Sequence, residues 1–108
     1  RINDQDGTIQ KAAKYIFCNY NKNITLEELA QIAHFSSPYL SKVFHQATGL
    51  TIKTYITLKR IENAKHLLKN SKLSIQEIAV SCGFPNLSHF DRVFKQQTGM
   101  SPVSYRNN

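Results

Sequence analysis

The sequence predicts an all-α fold that contains one small helical unit twice. Three observations predict it. Apolar residues recur at three- and four-residue spacing along most of the chain, with little strict alternation. Pro and Gly are scarce, three and four among 108 residues. The stretches IAHFSSPYLSKVFHQATGLT (32–51) and SCGFPNLSHFDRVFKQQTGMSP (81–102) share a turn, a polar helix face and a closing Thr-Gly.

Residues 8 to 21 carry Ile9, Ala12, Ala13, Ile16, Phe17 and Tyr20 at helical spacing, which predicts a first amphipathic helix. It ends near the turn-like Asn-Tyr-Asn-Lys-Asn. Thr25-Leu-Glu-Glu28 is a capping box and opens a short second helix. Ser36, Ser37 and Pro38 begin the third, with a serine cap and proline in the first turn; Gly49 ends it. Thr51 starts a longer fourth helix, about 52 to 69, whose apolar side is Ile52, Tyr55, Ile56, Ile61, Ala64, Leu67 and Leu68. Ser74-Ile-Gln-Glu77 is a second capping box and opens the fifth. Asn86 or Ser88 caps the sixth, Gly99 closes it, and Ser101-Pro102 begins a brief last helix.

The repeat is explicit in the residues. A shift of 49 carries Ile24, Leu26, Glu28, Leu29, Ala30, Ala33 and Phe35 onto Leu73, Ile75, Glu77, Ile78, Ala79, Cys82 and Phe84. A shift of 50 carries Leu40, Lys42, Val43, Phe44, Gln46, Thr48, Gly49 and Tyr55 onto Phe90, Arg92, Val93, Phe94, Gln96, Thr98, Gly99 and Tyr105. Two copies make a duplicated module joined by the fourth helix, not a solenoid. Each copy reads as a short helix, a tight turn and a second amphipathic helix. Small residues (Ala30, Ala79) allow a close crossing, and an aromatic (Phe35, Phe84) fills the corner. That is helix-turn-helix patterning, in which the second helix enters the DNA major groove.

A helical wheel at 100° per residue supports this. Ser88, His89, Lys95 and Gln96 lie within about 60° of Arg92, while Phe90, Val93 and Phe94 lie on the other side. In the first copy Pro38, Tyr39, His45 and Gln46 flank Lys42, and Leu40, Val43 and Phe44 oppose it. Ser41 and Asp91 sit at the margins. Arg or Lys can donate to guanine O6 and N7, and Gln can pair with adenine. Ser and His donate or accept, Tyr39 can stack or meet a thymine methyl, and Asp91 can accept from cytosine or hold Arg92. The expected base contacts are therefore Pro38, Tyr39, Ser41, Lys42, Gln46, Ser88, His89, Asp91, Arg92 and Gln96. The expected phosphate contacts are Ser36, Ser37, His45, Thr51, Lys53, Asn86, Lys95 and Ser101. Lys53, Lys59, Lys65, Lys69 and Lys72 add a basic stripe in and just after the fourth helix. The net charge of +7 also points to an anionic partner.

Other classes are disfavoured. Cys18 and Cys82 are far apart and read as reduced thiols of a cytosolic protein, with Cys82 at a small core position. His34, His45, His66 and His89 show no paired ligand spacing and there is no Cys-x-x-Cys, so neither metal nor cofactor is expected. No nucleophile, base and orienter come together, so no enzyme is expected. No apolar run reaches the roughly 20 residues that span a bilayer. A helical module whose basic face meets an acidic protein explains charge and helices, but not two matched cations on two copies of one motif.

From about residue 8 to 106 the chain resembles the DNA-binding domain of the AraC/XylS family of bacterial transcription regulators. The resemblance rests on Leu-Glu-Glu-Leu-Ala (26–30), Tyr-Leu-Ser-Lys-Val-Phe (39–44) and Lys-Arg-Ile-Glu-Asn-Ala-Lys-His-Leu-Leu (59–68). It continues through Ile-Gln-Glu-Ile-Ala (75–79), Cys-Gly-Phe (82–84), Phe-Asp-Arg-Val-Phe-Lys (90–95), Thr-Gly-Met-Ser-Pro (98–102) and Tyr105-Arg106. It implies about seven helices and two helix-turn-helix subdomains, at 8–50 and 71–108, joined by a linker helix at 51–70. Residues 1–7 would then be a linker remnant. It implies recognition helices in successive major-groove segments, about 34 Å apart. The family's base-contacting positions fall here on Pro38, Ser41, Lys42, Ser88, His89 and Arg92. Implied partners are double-stranded DNA, RNA polymerase and an N-terminal effector-binding or receiver domain; the isolated piece is expected to be monomeric. Two departures matter. His34 stands where the family's first turn usually has Gly, and Pro38 replaces a longer side chain at a contact position.

Overall fold

In the computed structural model, residues 7–108 are described; residues 1–6 of the expected linker lie outside them. The described residues form α1 (Thr8–Asn19), α2 (Leu26–Ala33), α3 (Ser37–Thr48), α4 (Ile52–Asn70), α5 (Ile75–Ser81), α6 (Leu87–Thr98) and α7 (Pro102–Asn107). No strand occurs among them, as the periodicity requires.

The helix starts are chemical. Thr25 accepts from Glu28 N while the Glu28 carboxylate accepts from Thr25 N, and Ser74 and Glu77 do the same for α5. Ser36 caps α3, Ser101 caps α7, and Asn86 rather than Ser88 caps α6. The ends of α3 and α6 match atom for atom. Thr48 Oγ1 donates to Phe44 O at 2.8 Å and accepts from Leu50 N at 3.1 Å. Thr98 Oγ1 donates to Phe94 O at 2.8 Å and accepts from Met100 N at 3.2 Å. Gly49 and Gly99 then take left-handed backbone at φ 76° and 82°, which glycine reaches without a Cβ penalty.

Packing divides the described residues into two units, one ending at Thr57 and the other spanning Leu58–Asn108. The first core gathers Ile9, Ala12 and Ile16 of α1 with Leu29, Ala33, Leu40, Phe44 and Ile56. The second gathers Ile61, Ala64 and Leu68 of α4 with Ile78, Cys82, Phe84, Phe90 and Phe94. Aromatic edges close both: Phe44 meets Tyr55 at 5.2 Å and Phe94 meets Tyr105 at 5.4 Å between ring centroids.

This corrects the expectation of one apolar side on the fourth helix. Ile52, Tyr55 and Ile56 serve the first core; Ile61, Ala64, Leu67 and Leu68 serve the second. One helix carries two apolar stripes because each half completes a different unit. The repeat is therefore longer than the sequence shift suggested. At an offset of 52, the buried Ile9, Ala12 and Ile16 fall on Ile61, Ala64 and Leu68. At the same offset Asn19 Nδ2 donates to Tyr15 O, and Ser71 Oγ donates to Leu67 O. So α1 is the counterpart of the second half of α4, and α7 is the counterpart of its start. The offset changes because the loop before α2 is longer than the one before α5.

Phe17 departs from the expected apolar side of the first helix. It is 66% exposed. It lies about 100° round the helix from the fully buried Ile16, beyond the reach of the core.

Candidate nucleic-acid interface

The two candidate recognition helices, α3 and α6, are each fixed from behind. Leu40, Val43 and Phe44 are buried under α3, and Phe90 and Phe94 under α6, with Val93 half-buried beside them. What remains outward is polar. Pro38, Tyr39, Ser41, Lys42, His45 and Gln46 are exposed on α3; Ser88, Asp91, Arg92, Lys95 and Gln96 are exposed on α6. No acid sits in the first turn of either helix, so the positive end of each dipole is left unneutralised.

Aromatic corners orient the flanks of both faces. Tyr39 stands edge-on to Phe35 with centroids 4.9 Å apart, which holds a ring that is still 44% exposed. At the matching place His89 packs against Phe84 at 5.9 Å. Here the outward placement expected for His89 needs correction. The residue is half-buried, and Nδ1 is buried with no hydrogen-bond partner among the described residues. It sits at the edge of the polar face, where Phe84 draws the ring inward, so only part of the imidazole is presented.

The expected phosphate contacts divide by geometry. His45, Lys53 and Lys95 are exposed cations or donors. Ser36, Asn86 and Ser101 are helix caps whose side-chain oxygens accept from Tyr39 N, His89 N and Ser104 N. Thr51 is more committed: it accepts from Thr54 N at 3.1 Å and donates to Thr54 Oγ1 at 3.0 Å. Ser37 is half-buried in the first turn of α3. Leu87, absent from the expected contacts, is 38% exposed at the first position of α6, next to Ser88. Its spacing from the buried Phe90 and Phe94 fits the three-four core pattern, so the sequence carries no signal of its exposure.

The turns that set the helices differ. His34 holds φ 60°, ψ 36°, and its N–H donates back to Ala30 O and Gln31 O. It is the non-glycine residue with positive φ among those described; the second unit places Gly83 at φ 92°. His34 thus takes left-handed backbone at a turn where the second unit has glycine.

Behind α6, Arg60 lies 6.0 Å from the Phe84 ring centre, and partial burial lowers its pKa. Cys82 is fully buried. Burial pushes its thiol up to about 11, against the opposing pull of Asn63 Nδ2 at 3.5 Å and of Arg60. It is a core thiol, not a nucleophile. Cys18 is exposed on α1. Among the described residues no group of three His, Cys, Asp or Glu side chains is placed to hold a metal ion. None of the helices there is long and apolar enough to cross a membrane.

Comparison with known proteins agrees with this geometry. The profile of a helix-turn-helix domain family matches residues 29–108. The Msm operon regulatory protein of Streptococcus mutans is 36% identical over 98 residues, covering 91% of this chain and 35% of that protein. The chain thus spans about a third of the length of the curated relatives it matches. The C-terminal domain of AraT, a response regulator from Geobacillus stearothermophilus, superposes with TM-score 0.90 at 31% identity, covering 97% of this chain and 88% of that one. The DNA-binding domain of the transcriptional factor AdpA, solved with a target DNA, gives TM-score 0.88 at 26% identity, covering 93% and 90%. Two capped helix-turn-helix units with matched buried patterns, a matching profile and these likenesses together place the chain in the AraC/XylS family of helix-turn-helix domains.

Proposed function

We propose that this chain binds double-stranded DNA sequence-specifically and so regulates bacterial transcription. In this reading α3 and α6 are the recognition helices, each entering one of two successive major-groove segments. Residues 8–50 and 71–108 are the two reading subdomains, and 51–70 joins them. One observation carries the reading. Each unit packs an amphipathic helix over a core and turns outward a matched cation, Lys42 or Arg92, among hydrogen-bonding side chains. A surface that served only solubility has no need to repeat that arrangement.

Direct readout falls to Pro38, Tyr39, Ser41, Lys42 and Gln46 on α3, and to Ser88, His89, Asp91, Arg92 and Gln96 on α6. Backbone positioning falls to His45, Lys53 and Lys95, and to the capping ends of α3 and α6, whose N-terminal N–H groups suit phosphate. The chain supplies binding and no reaction of its own. It acts as the cytoplasmic output domain of a longer regulator, a monomeric piece that answers to an N-terminal effector-binding or receiver domain and acts on RNA polymerase at the promoter. The likeness to a response regulator's C-terminal domain supports the receiver alternative.

The test is selection from a randomised duplex pool, read by sequencing and by fluorescence anisotropy. One motif of about 15–20 base pairs should emerge, relaxed in one half by Lys42→Ala and in the other by Arg92→Ala. With about 5–8 phosphates engaged, log affinity should fall by about 0.9 per phosphate per log unit of salt. Salt-sensitive binding without a motif would remove the specificity. Absence of binding at low salt would remove DNA as the partner and favour an acidic protein.

A further inference from the structure

Asp91 is the single carboxylate on either recognition helix. It is exposed in the middle of α6, one residue before Arg92. It pairs with neither Arg92 nor Lys95. It does not cap the helix, a task done by Asn86, and it lies beyond the first turn, where a negative charge would favour the dipole. The corresponding position on α3 is the neutral Ser41. Nothing in the second unit uses this charge, and on a face that meets a polyanion it opposes affinity.

Resting on the DNA-binding reading above, we propose that Asp91 is a specificity filter that admits a cytosine and penalises the other bases at the position it faces. An ionised carboxylate only accepts hydrogen bonds. In the major groove cytosine offers the N4 amino group with no acceptor on its own edge, only the O6 of its paired guanine beyond it. Guanine offers N7 and O6, thymine offers O4, and the adenine amino group is flanked by N7. Cytosine therefore returns a hydrogen bond with the fewest acceptor lone pairs set against the charge, since adenine adds its own N7 to the O4 of its partner. Elsewhere on the duplex the carboxylate meets acceptors and phosphates and is repelled. The filter works by loss: it weakens binding to wrong sequences more than it strengthens binding to the right one. It also makes the two helices unequal, because Ser41 can donate or accept and tolerates more bases.

The experiment repeats the duplex selection with the 108-residue chain as wild type, Asp91→Ala and Ser41→Asp. The wild type should enrich a cytosine at one position within the motif half that Arg92→Ala relaxes. Asp91→Ala should lose that preference by about 10-fold, the scale of one mismatched pair, and bind a scrambled duplex several-fold more tightly. Ser41→Asp should bind the scrambled duplex less well and sharpen the other half of the motif. If the cytosine preference survives Asp91→Ala, the filter is wrong. If Asp91→Ala tightens every duplex by one common factor, Asp91 is only a bulk repulsion and the proposal also falls. Both results leave a wild-type motif intact, so neither touches the DNA-binding reading; failure of the wild type to bind any duplex overturns that reading and this one together.

Discussion

The two units agree where they are buried and differ where they are wet. Both bury an Ile-x-x-Ala-x-x-x-aliphatic triplet, close the second helix of the motif with Thr-Gly, and set a Phe against a Tyr. They share the capping boxes and the threonine bonds at the helix ends, but other polar contacts differ. The first unit ties Tyr15 to Glu28, where the second has Leu67 in place of the tyrosine. The first turns on His34, the second on Gly83. The first ends its motif with the buried Ile56, the second with the arginine of α7. Close packing explains the agreement, since a core position tolerates little change in shape. Polar ties on the surface carry smaller energies and are free to diverge, and the proposed recognition faces belong to that freer part of the molecule.

The largest of the differences to break is at the end of the second unit. Arg106 Nε donates to Leu68 O at 3.1 Å and Nη2 to Ser71 O at 3.4 Å, which satisfies one carbonyl in the last turn of α4 and one just past it. Lys69 adds its ammonium over the Tyr105 ring at 5.0 Å. Arg106→Ala should cost about 1.5–3 kcal/mol, the range for hydrogen bonds to a charged group. Urea unfolding would show it. Faster amide exchange should appear at the end of α4 and in α7, with α1 to α3 unchanged. Equal loosening of both units would mean that Arg106 is not a local clasp.

Why this clasp was not legible in the sequence is instructive. Periodicity and caps act between residues three or four apart, so Thr25, Ser36, Ser74, Ser101 and both Thr-Gly ends could be read directly. Arg106 reaches a carbonyl 38 residues away, and Tyr15 a carboxylate 13 away. Neither has a local signature. The fourth helix misled for another reason. Its apolar residues serve two cores, so no single stripe describes it, and its kinship with α1 emerged only from matching buried positions. On the outer faces of α3 and α6 the exposed residue types were legible because outward polar positions follow from the buried ones. The inward pull on His89 was not, because it depends on the Phe84 ring across the turn.

A smaller effect tests the turns. His34 pays for a left-handed backbone that glycine adopts freely, a cost of about 1 kcal/mol. His34→Gly should therefore raise the melting temperature by roughly 4–8 °C, and Gly83→Ala should lower it. An unchanged or lower value for His34→Gly would show that the imidazole contributes something the backbone argument omits. The paired result would say whether the two turns differ only in the residue that fills them.

The smallest effect is a matter of pH. Tyr15 donates to the Glu28 carboxylate, and this bond, followed by the one from Thr25 N–H, holds Glu28 below its ordinary pKa. The same bond raises the Tyr15 phenol. A carboxyl with a depressed pKa contributes stability above its unfolded value and loses that contribution as pH falls through the folded one. The raised phenol contributes fully below its unfolded value and loses its part as pH rises through the folded one. The tie thus holds across neutral pH and fails at both ends. Glu77 is also depressed, but by Ser74 alone. In Tyr15→Phe, NMR titration of the side-chain carboxyls should find Glu28 moved up toward the ordinary range and Glu77 where it was. A Glu28 that titrates unchanged would mean the capping box alone sets it, and the two units would then be alike at this position as well.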